Sequence, residues 1–172
     1  MNVLVFSDSH GNSKNIKEAI DRQIKKPDAV IFLGDGIRDI LYLDFDDIDV
    51  YCVAGNCDFG MSAADGNIPD EQIVCVRGKK LLIAHGHRYD VKNGLSRLIK
   101  RAVDCDVDIV LFGHTHICIE KTLLPDNNEY DVKLHKPLRI MNPGSIGHYP
   151  NSWGCIEINY RGEVLMSHGA LL

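Results

Sequence analysis

The sequence lacks several features that would assign it to a common protein class. No apolar run approaches the roughly 20 residues that cross a bilayer, and the N-terminus has neither a basic region nor a small-residue cleavage site. No pair among its 6 cysteines has the CxxC spacing of a zinc ribbon or a thioredoxin-like motif. The formal net charge of -5 and lysines that cluster only in pairs disfavour a general nucleic-acid binder. We therefore expect a cytoplasmic protein with reduced cysteines and no membrane partner.

What the sequence contains is an alternation of strand-like and helix-like segments. Residues 14–25 place apolar side chains, Ile24 among them, at helical spacing. Three short apolar runs predict buried strands, at residues 2–6, 29–33 and 48–53. This order predicts a parallel sheet covered by helices. A length of 172 residues fits a single domain, residues 1–172.

The second half of the chain is richer in strand signals. Residues 71–86 predict a β-hairpin that turns at Gly78 and Lys79, and residues 95–103 predict a helix before a strand at 108–112. Turn sequences separate further short strands, expected near residues 117–123, 130–135, 138–141, 154–159 and 163–168. The predicted fold class is therefore α/β, with two packed sheets.

Five of the apolar runs end in a short polar cluster. In α/β sheets, ligands bind at the carboxyl ends of strands, where neighbouring loops converge. Segments that are distant in the sequence can therefore meet at one edge of the fold. The clusters are Ser7-Asp8-Ser9-His10, Gly34-Asp35, Gly55-Asn56-Cys57-Asp58, His85-Gly86-His87 and Gly113-His114-Thr115-His116.

The composition and spacing of these clusters predict a site for two cations. Asp8 and His10 are two residues apart, as are His114 and His116, and such pairs point to the same side of an extended segment. Two carboxylates, one amide and four imidazoles exceed the needs of one ion, and a shared Asp35 carboxylate would bridge a pair. Nitrogen and oxygen donors without thiolate pairs favour Mn, Fe, Zn or Ni over a structural zinc site.

The clusters occur in the order of the calcineurin-like metallophosphoesterase signature, which the sequence resembles over nearly its whole length. The short chain, Gly55-Asn56-Cys57-Asp58 and Asn142-Pro143-Gly144-Ser145 are similar to the YfcE-type phosphodiesterase branch. The resemblance implies a β-sandwich of two mixed sheets flanked by helices, with the metals at one end. It implies one metal held by Asp8, His10, Asp35 and His116, and a second held by Asp35, Asn56, His85 and His114.

The resemblance also implies the reaction. A water or hydroxide between two divalent transition metals, Mn in preference to Ni, Fe or Zn, would attack a small phosphodiester or nucleotide-like substrate. Many members of the superfamily carry a histidine directly after the signature asparagine, where it can protonate the leaving group. Here that residue is Cys57, and a thiol replaces imidazole poorly in general acid catalysis. We therefore expect activity mainly on esters with acidic leaving groups, with Cys57 and His87 as minor catalytic candidates.

Other polar residues have simpler interpretations. Asp58 and Asp39 are candidates to orient ligands through hydrogen bonds, with helix capping as the alternative for Asp58. The motif at residues 142–145 is expected to be a structural turn. Three further histidines are expected at the surface, outside the site, namely His135, His148 and His168.

Alternatives in substrate and in function stay open. The same site could act on a phosphomonoester or a pyrophosphate bond, but the sequence offers no clear arginine clamp for a monoester dianion, which favours diesters; Arg38 near Asp35 is a candidate. A non-enzymatic scaffold is a further alternative, as in the retromer subunit with this fold, but every ligand position is intact here. The sequence leaves the natural substrate, the native metal and the formation of a homo-oligomer undecided.

Overall fold

The computed structural model describes residues 1–61, 68–126, 129–130 and 132–171, and these form two five-stranded mixed sheets. The strands are β1 Asn2–Phe6, β2 Ala29–Phe32, β3 Asp49–Cys52, β4 Glu71–Val76, β5 Lys79–Ala84, β6 Ile109–Phe112, β7 Cys118–Leu123, β8 Leu138–Pro143, β9 Ser152–Ile158 and β10 Val164–Ala170. The helices are α1 Ser13–Asp21, α2 Ile37–Leu41 and α3 Ser96–Asp104. The predicted α/β sandwich of two mixed sheets flanked by helices is confirmed.

Each sheet is built around three parallel strands. The first sheet has the order β10-β9-β1-β2-β3, in which β1, β2 and β3 run parallel. The second has the order β4-β5-β6-β8-β7, in which β5, β6 and β8 run parallel. The remaining strands pair antiparallel at the edges. In each sheet, the carboxyl ends of the three parallel strands therefore lie at the same edge.

Side-chain alternation along the strands divides the apolar residues among three layers. Val3 and Val5 face Leu81 of the other sheet in the core between the sheets. Leu4, on the opposite face of β1, packs in the layer that contains α1 and α2. Leu82 packs in the layer that contains α3. Full burial of each such side chain stabilises the fold by about 1.5–3 kcal/mol, so both faces of each sheet contribute.

Two predicted elements end or turn at other residues than expected. Helix α1 ends at Asp21, so the predicted helix over residues 14–25 is shorter than expected, and Ile24 lies beyond it, fully exposed. The β4–β5 hairpin turns at Arg77 and Gly78, which both have positive φ, and Lys79 already belongs to β5.

One predicted strand is absent and one helix was not foreseen. No strand forms in the described residues of 130–135, and residue 131 lies outside the described part of the chain. Leu134 is buried by packing beneath α3 instead. Helix α2 is only five residues long, too short to produce a periodic signal. None of the helices in the described ranges has the length and hydrophobicity to span a membrane.

Candidate metal centre

The loops that carry the predicted ligands meet at one end of the sandwich. The Asp8 N–H donates to the Gly34 carbonyl at 2.9 Å, which joins the loops after β1 and β2. The Gly113 N–H donates to the His85 carbonyl at 2.9 Å, which joins the loops after β5 and β6. Because the parallel strands of both sheets have their carboxyl ends at this end of the sandwich, segments more than a hundred residues apart contribute to one cluster. All seven predicted ligand residues are in it, namely Asp8, His10, Asp35, Asn56, His85, His114 and His116.

Asp35 lies between two groups of potential ligand atoms. A carboxylate oxygen of Asp35 and ring nitrogens of His85 and His114 lie within 4.8 Å of one another. The same limit holds for Asp35, a ring nitrogen of His10 and the Cys57 sulfur. Asp35 is therefore the carboxylate that could contact two cations at once.

Most of these residues have left-handed backbone conformations. The φ angles are 56° for Asp8, 47° for His10, 57° for Asp35, 67° for His114 and 60° for His116. The expectation that the Asp-x-His and His-x-His pairs converge through extended backbone was therefore wrong. Asp and His occupy this region more readily than most side chains, but each such residue still costs about 1–3 kcal/mol, a cost found mainly at functional sites.

The two oxygens of the buried Asp8 carboxylate differ in their contacts. Its Oδ2 accepts hydrogen bonds from the Ser7 hydroxyl at 2.5 Å and from the His114 N–H at 3.0 Å. Its Oδ1 is buried, has no hydrogen-bond partner among the described residues, and lies 3.1 Å from His116 Nε2 and 3.9 Å from His10 Nε2. A buried charged oxygen without a partner is costly, and a cation among these atoms would remove the cost.

His85 presents a lone pair to other acceptors. Its Nδ1–H donates to the Leu33 carbonyl at 2.7 Å, so that Nε2 of the neutral ring carries the lone pair. Nε2 lies 3.2 Å from Asn56 Oδ1, 3.4 Å from Asp35 Oδ2 and 3.2 Å from His114 Nδ1. In the neutral ring, Nε2 is an acceptor that faces the acceptors Asn56 Oδ1 and Asp35 Oδ2, and these atoms repel one another unless a proton or a metal cation lies between them. The donor set therefore fits a divalent metal.

Burial and mutual charge shift the pKa values within the cluster. Burial raises the pKa of Asp35, but its hydrogen bond to His85 and the charge of His85 outweigh burial and bring that pKa well below its ordinary value. Burial lowers the pKa of His85, but Asp35 and Asp8 outweigh it and raise the pKa. Burial and the charge of His85 lower the pKa of His114 to about 4. At neutral pH, Asp35 is therefore ionised and His114 is neutral, the forms that bind metals.

Close backbone approach requires glycine at two positions. A Cβ on Gly34 would overlap the backbone of Gly55, and a Cβ on Gly55 would overlap the carboxylate of Asp35. These two glycines let the loops after β2 and β3 pack directly on each other. The glycines beside the clusters thus set the distance between Asp35 and Asn56.

Two carboxylates outside the predicted ligand set hold the ligand loops in place. Asp39 Oδ2 accepts hydrogen bonds from the Ser9 hydroxyl at 2.6 Å and the Gly11 N–H at 2.7 Å, so it supports the loop of Asp8 and His10. Asp58 has both the orienting and the capping role, because one of the N–H groups that donate to its carboxylate belongs to Ile37, the first residue of α2. Its carboxylate accepts bonds of 2.7–2.9 Å from the N–H groups of Asp35, Gly36, Ile37 and Gly55.

The motif at residues 142–145 contacts two of the ligand loops. The Asn142 amide donates to the Gly113 carbonyl at 2.8 Å and to the Thr115 hydroxyl at 3.1 Å. The Ser145 hydroxyl donates to the Asp8 carbonyl at 2.7 Å. The turn therefore supports the site as well as ending β8.

The surface assignment of His148 needs correction. Its ring centroid lies 5.2 Å from that of His10 and 5.0 Å from that of His116, so the ring is exposed but belongs to the cluster. No spacing rule in the sequence could have found it, because it follows a turn and no apolar run precedes it directly. His135 is exposed, and the partly exposed His168 ring hydrogen-bonds the Asn142 carbonyl at 2.8 Å.

Cys57 and His87 lie beside the ligand atoms. Cys57 N–H donates to Asp35 Oδ1 at 2.7 Å. Burial and the neighbouring Asp35 carboxylate raise the pKa of the Cys57 thiol to about 11, so the thiol is protonated at neutral pH. The His87 ring centroid is 5.4 Å from that of His85, and burial and the charge of His85 lower the pKa of His87. Its Nδ1 is buried and has no hydrogen-bond partner among the described residues.

A cleft of about 490 Å³ opens beside the cluster. His10, Asp35 and Cys57 form the end nearest the potential ligand atoms. Further out, the cleft is lined by an exposed cation and by apolar side chains, among them Arg38, Phe59 and Met61. The Phe59 side chain is 84% exposed, so the cleft has an aromatic surface open to a ligand.

Known proteins share both sequence and fold with this chain. It is 31% identical over 146 residues to a probable metallophosphoesterase, YsnB, from Bacillus subtilis, an alignment that covers 85% of this chain and 75% of the relative. A predicted phosphoesterase from Streptococcus pneumoniae has the same fold, with a TM-score of 0.68, 24% identity and coverage of 99% of this chain and 97% of that one.

Two further structures have the same fold at lower identity. An archaeal phosphodiesterase matches with a TM-score of 0.68 and 20% identity, covering 98% of this chain and 99% of that one. Vps29 from Entamoeba histolytica, in complex with Zn²⁺, matches with a TM-score of 0.68 and 20% identity, covering 99% of each chain.

The sequence pattern of one protein family accounts for nearly the whole chain. Residues 1–159 match the calcineurin-like phosphoesterase superfamily domain. The match spans every loop that carries a predicted ligand, and the family's members use divalent metals. The chain therefore belongs to the calcineurin-like phosphoesterase superfamily.

Proposed function

We propose that the protein is a phosphodiesterase that uses two divalent metals. The observation that carries this proposal is the convergence of acceptors around His85 Nε2 and around the buried Asp8 Oδ1, which has no hydrogen-bond partner among the described residues. In the proposed assignment, Asp35 is shared, one metal is held by Asp8, His10, Asp35 and His116, and the other by Asp35, Asn56, His85 and His114.

The metals, when bound, polarise the phosphoryl oxygens and lower the pKa of a bound water. We propose Mn as the native metal, with Ni, Fe and Zn as alternatives, because nitrogen and oxygen donors suit all four. The Zn²⁺ complex of the Entamoeba Vps29 supports Zn as a metal that this fold accepts.

The residues of this chain prepare the site before substrate binds. The Leu33 carbonyl holds the His85 ring so that Nε2 faces the site. The Cys57 N–H fixes Asp35 Oδ1, and the His114 N–H fixes Asp8 Oδ2. Because these contacts hold the ligand side chains in place beforehand, the ligands need not reorient as charge develops on the phosphoryl group.

The cleft supports an organic diester as the substrate. Of the residues that line it, Arg38 is exposed and forms no ion pair within the described part of the chain, so its guanidinium is free to meet a phosphate oxygen. Phe59 and Met61 supply apolar surface for a substituent, and an aromatic ring suits a nucleobase-like group. A diester carries two substituents and one negative charge, which one arginine and an apolar wall match.

Arg38 also favours a second candidate function. A guanidinium beside the centre could pair with the extra charge of a phosphomonoester or with the second phosphate of a pyrophosphate. A non-enzymatic scaffold of this fold would need neither the cleft nor the complete set of donors.

Hydrolysis assays separate these functions. Protein prepared without chelator and supplied with Mn²⁺ should hydrolyse bis-p-nitrophenyl phosphate faster than p-nitrophenyl phosphate or pyrophosphate. His85→Ala and Asn56→Ala should each remove most of the activity, and the exposed His135→Ala is the matched control. Unchanged activity in His85→Ala would exclude the proposed site, a preference for the monoester or pyrophosphate would support the second candidate, and no hydrolysis by metal-loaded protein would support the scaffold.

A further inference from the structure

Three imidazoles form a triangle at the exposed edge of the metal centre. The ring centroids of His10 and His116 are 5.3 Å apart, and that of His148 lies 5.2 Å from the first and 5.0 Å from the second. One ring nitrogen from each lies within 4.8 Å of the other two. The two Nε2 atoms of His10 and His116 are themselves 3.4 Å apart. The His148 ring thus lies beside two of the proposed ligands, although it belongs to a different loop.

The hydrogen bonds of Ser145 determine which nitrogen of His148 is free. The Ser145 hydroxyl has one proton, which it donates to the Asp8 carbonyl at 2.7 Å. Its two lone pairs then accept from the His148 N–H at 3.1 Å and from His148 Nδ1 at 3.1 Å. Nδ1 of His148 must therefore carry a proton, which leaves Nε2 of the neutral ring with its lone pair. His85 is held in the same way, through Nδ1, by the Leu33 carbonyl.

The loop of His148 is held against the loop of the first ligand pair. The Gly147 N–H donates to the Asp8 carbonyl at 3.1 Å, and the Ile146 N–H donates to the Ser7 carbonyl at 3.1 Å. A Cβ on Gly147 would overlap the Ser9 carbonyl, so the two backbones are in direct contact. The ring of His148 is exposed, but its backbone is fixed relative to Asp8.

We propose that His148 is a third imidazole ligand of the cation held by His10 and His116. The inference rests on the proposed two-metal function and adds a ligand that comes from the loop after β8. With Asp8 and Asp35, it gives this cation three nitrogen and two oxygen donors. A nitrogen-rich site favours Zn or Ni over Mn, so His148 would make the two metal positions different in selectivity.

Metal binding by the whole protein tests the proposal directly. Metal-free protein is titrated with Zn²⁺ against a chromophoric chelator, and its Co²⁺ complex is examined by visible absorption. Wild-type protein should bind two equivalents, and His148→Ala should weaken one of the two sites by about tenfold or more while the other is unchanged. The Co²⁺ spectrum of His148→Ala should change at the first equivalent or the second, but not at both. His135→Ala, which removes an exposed imidazole elsewhere, should match wild type.

The outcomes distinguish the inference from the proposed function. Two equivalents bound by His148→Ala with wild-type affinity and an unchanged Co²⁺ spectrum would overturn the inference and leave the two-metal proposal intact. An unchanged affinity together with a raised KM would also overturn it, since His148 would then contact substrate. No uptake by wild-type protein would overturn both. Thermal unfolding of the metal-free variants is the check on folding, and a melting temperature equal to wild type is expected for the exposed ring.

Discussion

Replacement of Asp58 by Asn tests whether its charge holds the ligand loops together. The Asp58 side chain is only 8% exposed, and its Oδ1 accepts from Gly36 and Ile37 while its Oδ2 accepts from Asp35 and Gly55. Asparagine keeps one oxygen, but its NH₂ group would face two N–H donors. At least two of the four hydrogen bonds are therefore lost, and the donors left behind lie in the loop of Asp35.

The cost can be worked out from these bonds. A hydrogen bond to a charged acceptor contributes about 1.5–3 kcal/mol, and a buried donor left without a partner costs about 1–3 kcal/mol. Two lost bonds at the lower end of this range, with weaker bonds to the remaining neutral oxygen, give about 3–5 kcal/mol. For a domain of this size each 1 kcal/mol lowers the melting temperature by about 2–4 °C, so we expect a decrease of about 6–20 °C.

Thermal unfolding followed by circular dichroism, in the presence of chelator, measures this effect without the metals. Metal titration of the same variant should show weaker binding, because the N–H of Asp35 itself loses a charged partner. Asp47→Asn removes the same charge from an exposed side chain and should unfold as wild type does. If Asp58→Asn unfolds within about 2 °C of wild type and binds metal equally well, the carboxylate does not position the site as argued.

Four other experiments have expected outcomes. Removal of metal by chelator should lower the melting temperature, since the buried acceptors then face one another; an unchanged value would contradict the metal assignment. Gly55→Ala should abolish phosphodiester hydrolysis, because its Cβ would displace the Asp35 carboxylate, whereas Gly60→Ala, where a Cβ meets no atom within 4 Å, should lose far less activity. In metal-free protein, the pKa of Cys57 rises from 9.0 to about 11, so its alkylation near pH 8 should be about a hundredfold slower than that of an unperturbed thiol. The alkylation rate should still increase above pH 9. A rate that levels off near pH 9 would contradict the raised pKa. Cys57→His should flatten the dependence of rate on leaving-group pKa across aryl phosphodiesters, and an unchanged slope would argue against leaving-group protonation from this position.

Local sequence patterns predicted most strands because burial on both faces leaves a strong signal. β2 and β6 are uninterrupted apolar runs, β1 is one after Asn2, and each strand ends two or three residues before a potential ligand. The convergence of Asp8, Asp35 and His85 followed from the rule that parallel strands present their carboxyl ends to one edge. The family match agrees with this pattern over residues 1–159.

Other features depend on partners that no local pattern records. A strand at 130–135 was predicted between turn sequences, but its described residues form no strand, and Leu134 packs in the layer that contains α3. Helix α2 begins at Ile37, whose N–H bonds the distant Asp58 carboxylate. The extended backbone expected at Asp8 and His10 is left-handed instead, since the contacts of the loop outweigh local preference.

The sequence by itself determined the kind of chemistry, because residue types and their order along apolar runs specify donors and strand ends. It also determined the family, because the order of the polar clusters along the chain can be recognised without knowledge of the fold. Only the tertiary structure decided that Asp35 lies between two groups of donors, that Asp58 accepts four N–H groups, and that His148 stands beside His10 and His116. These are contacts between loops far apart in the chain, and the way the two sheets pack sets them.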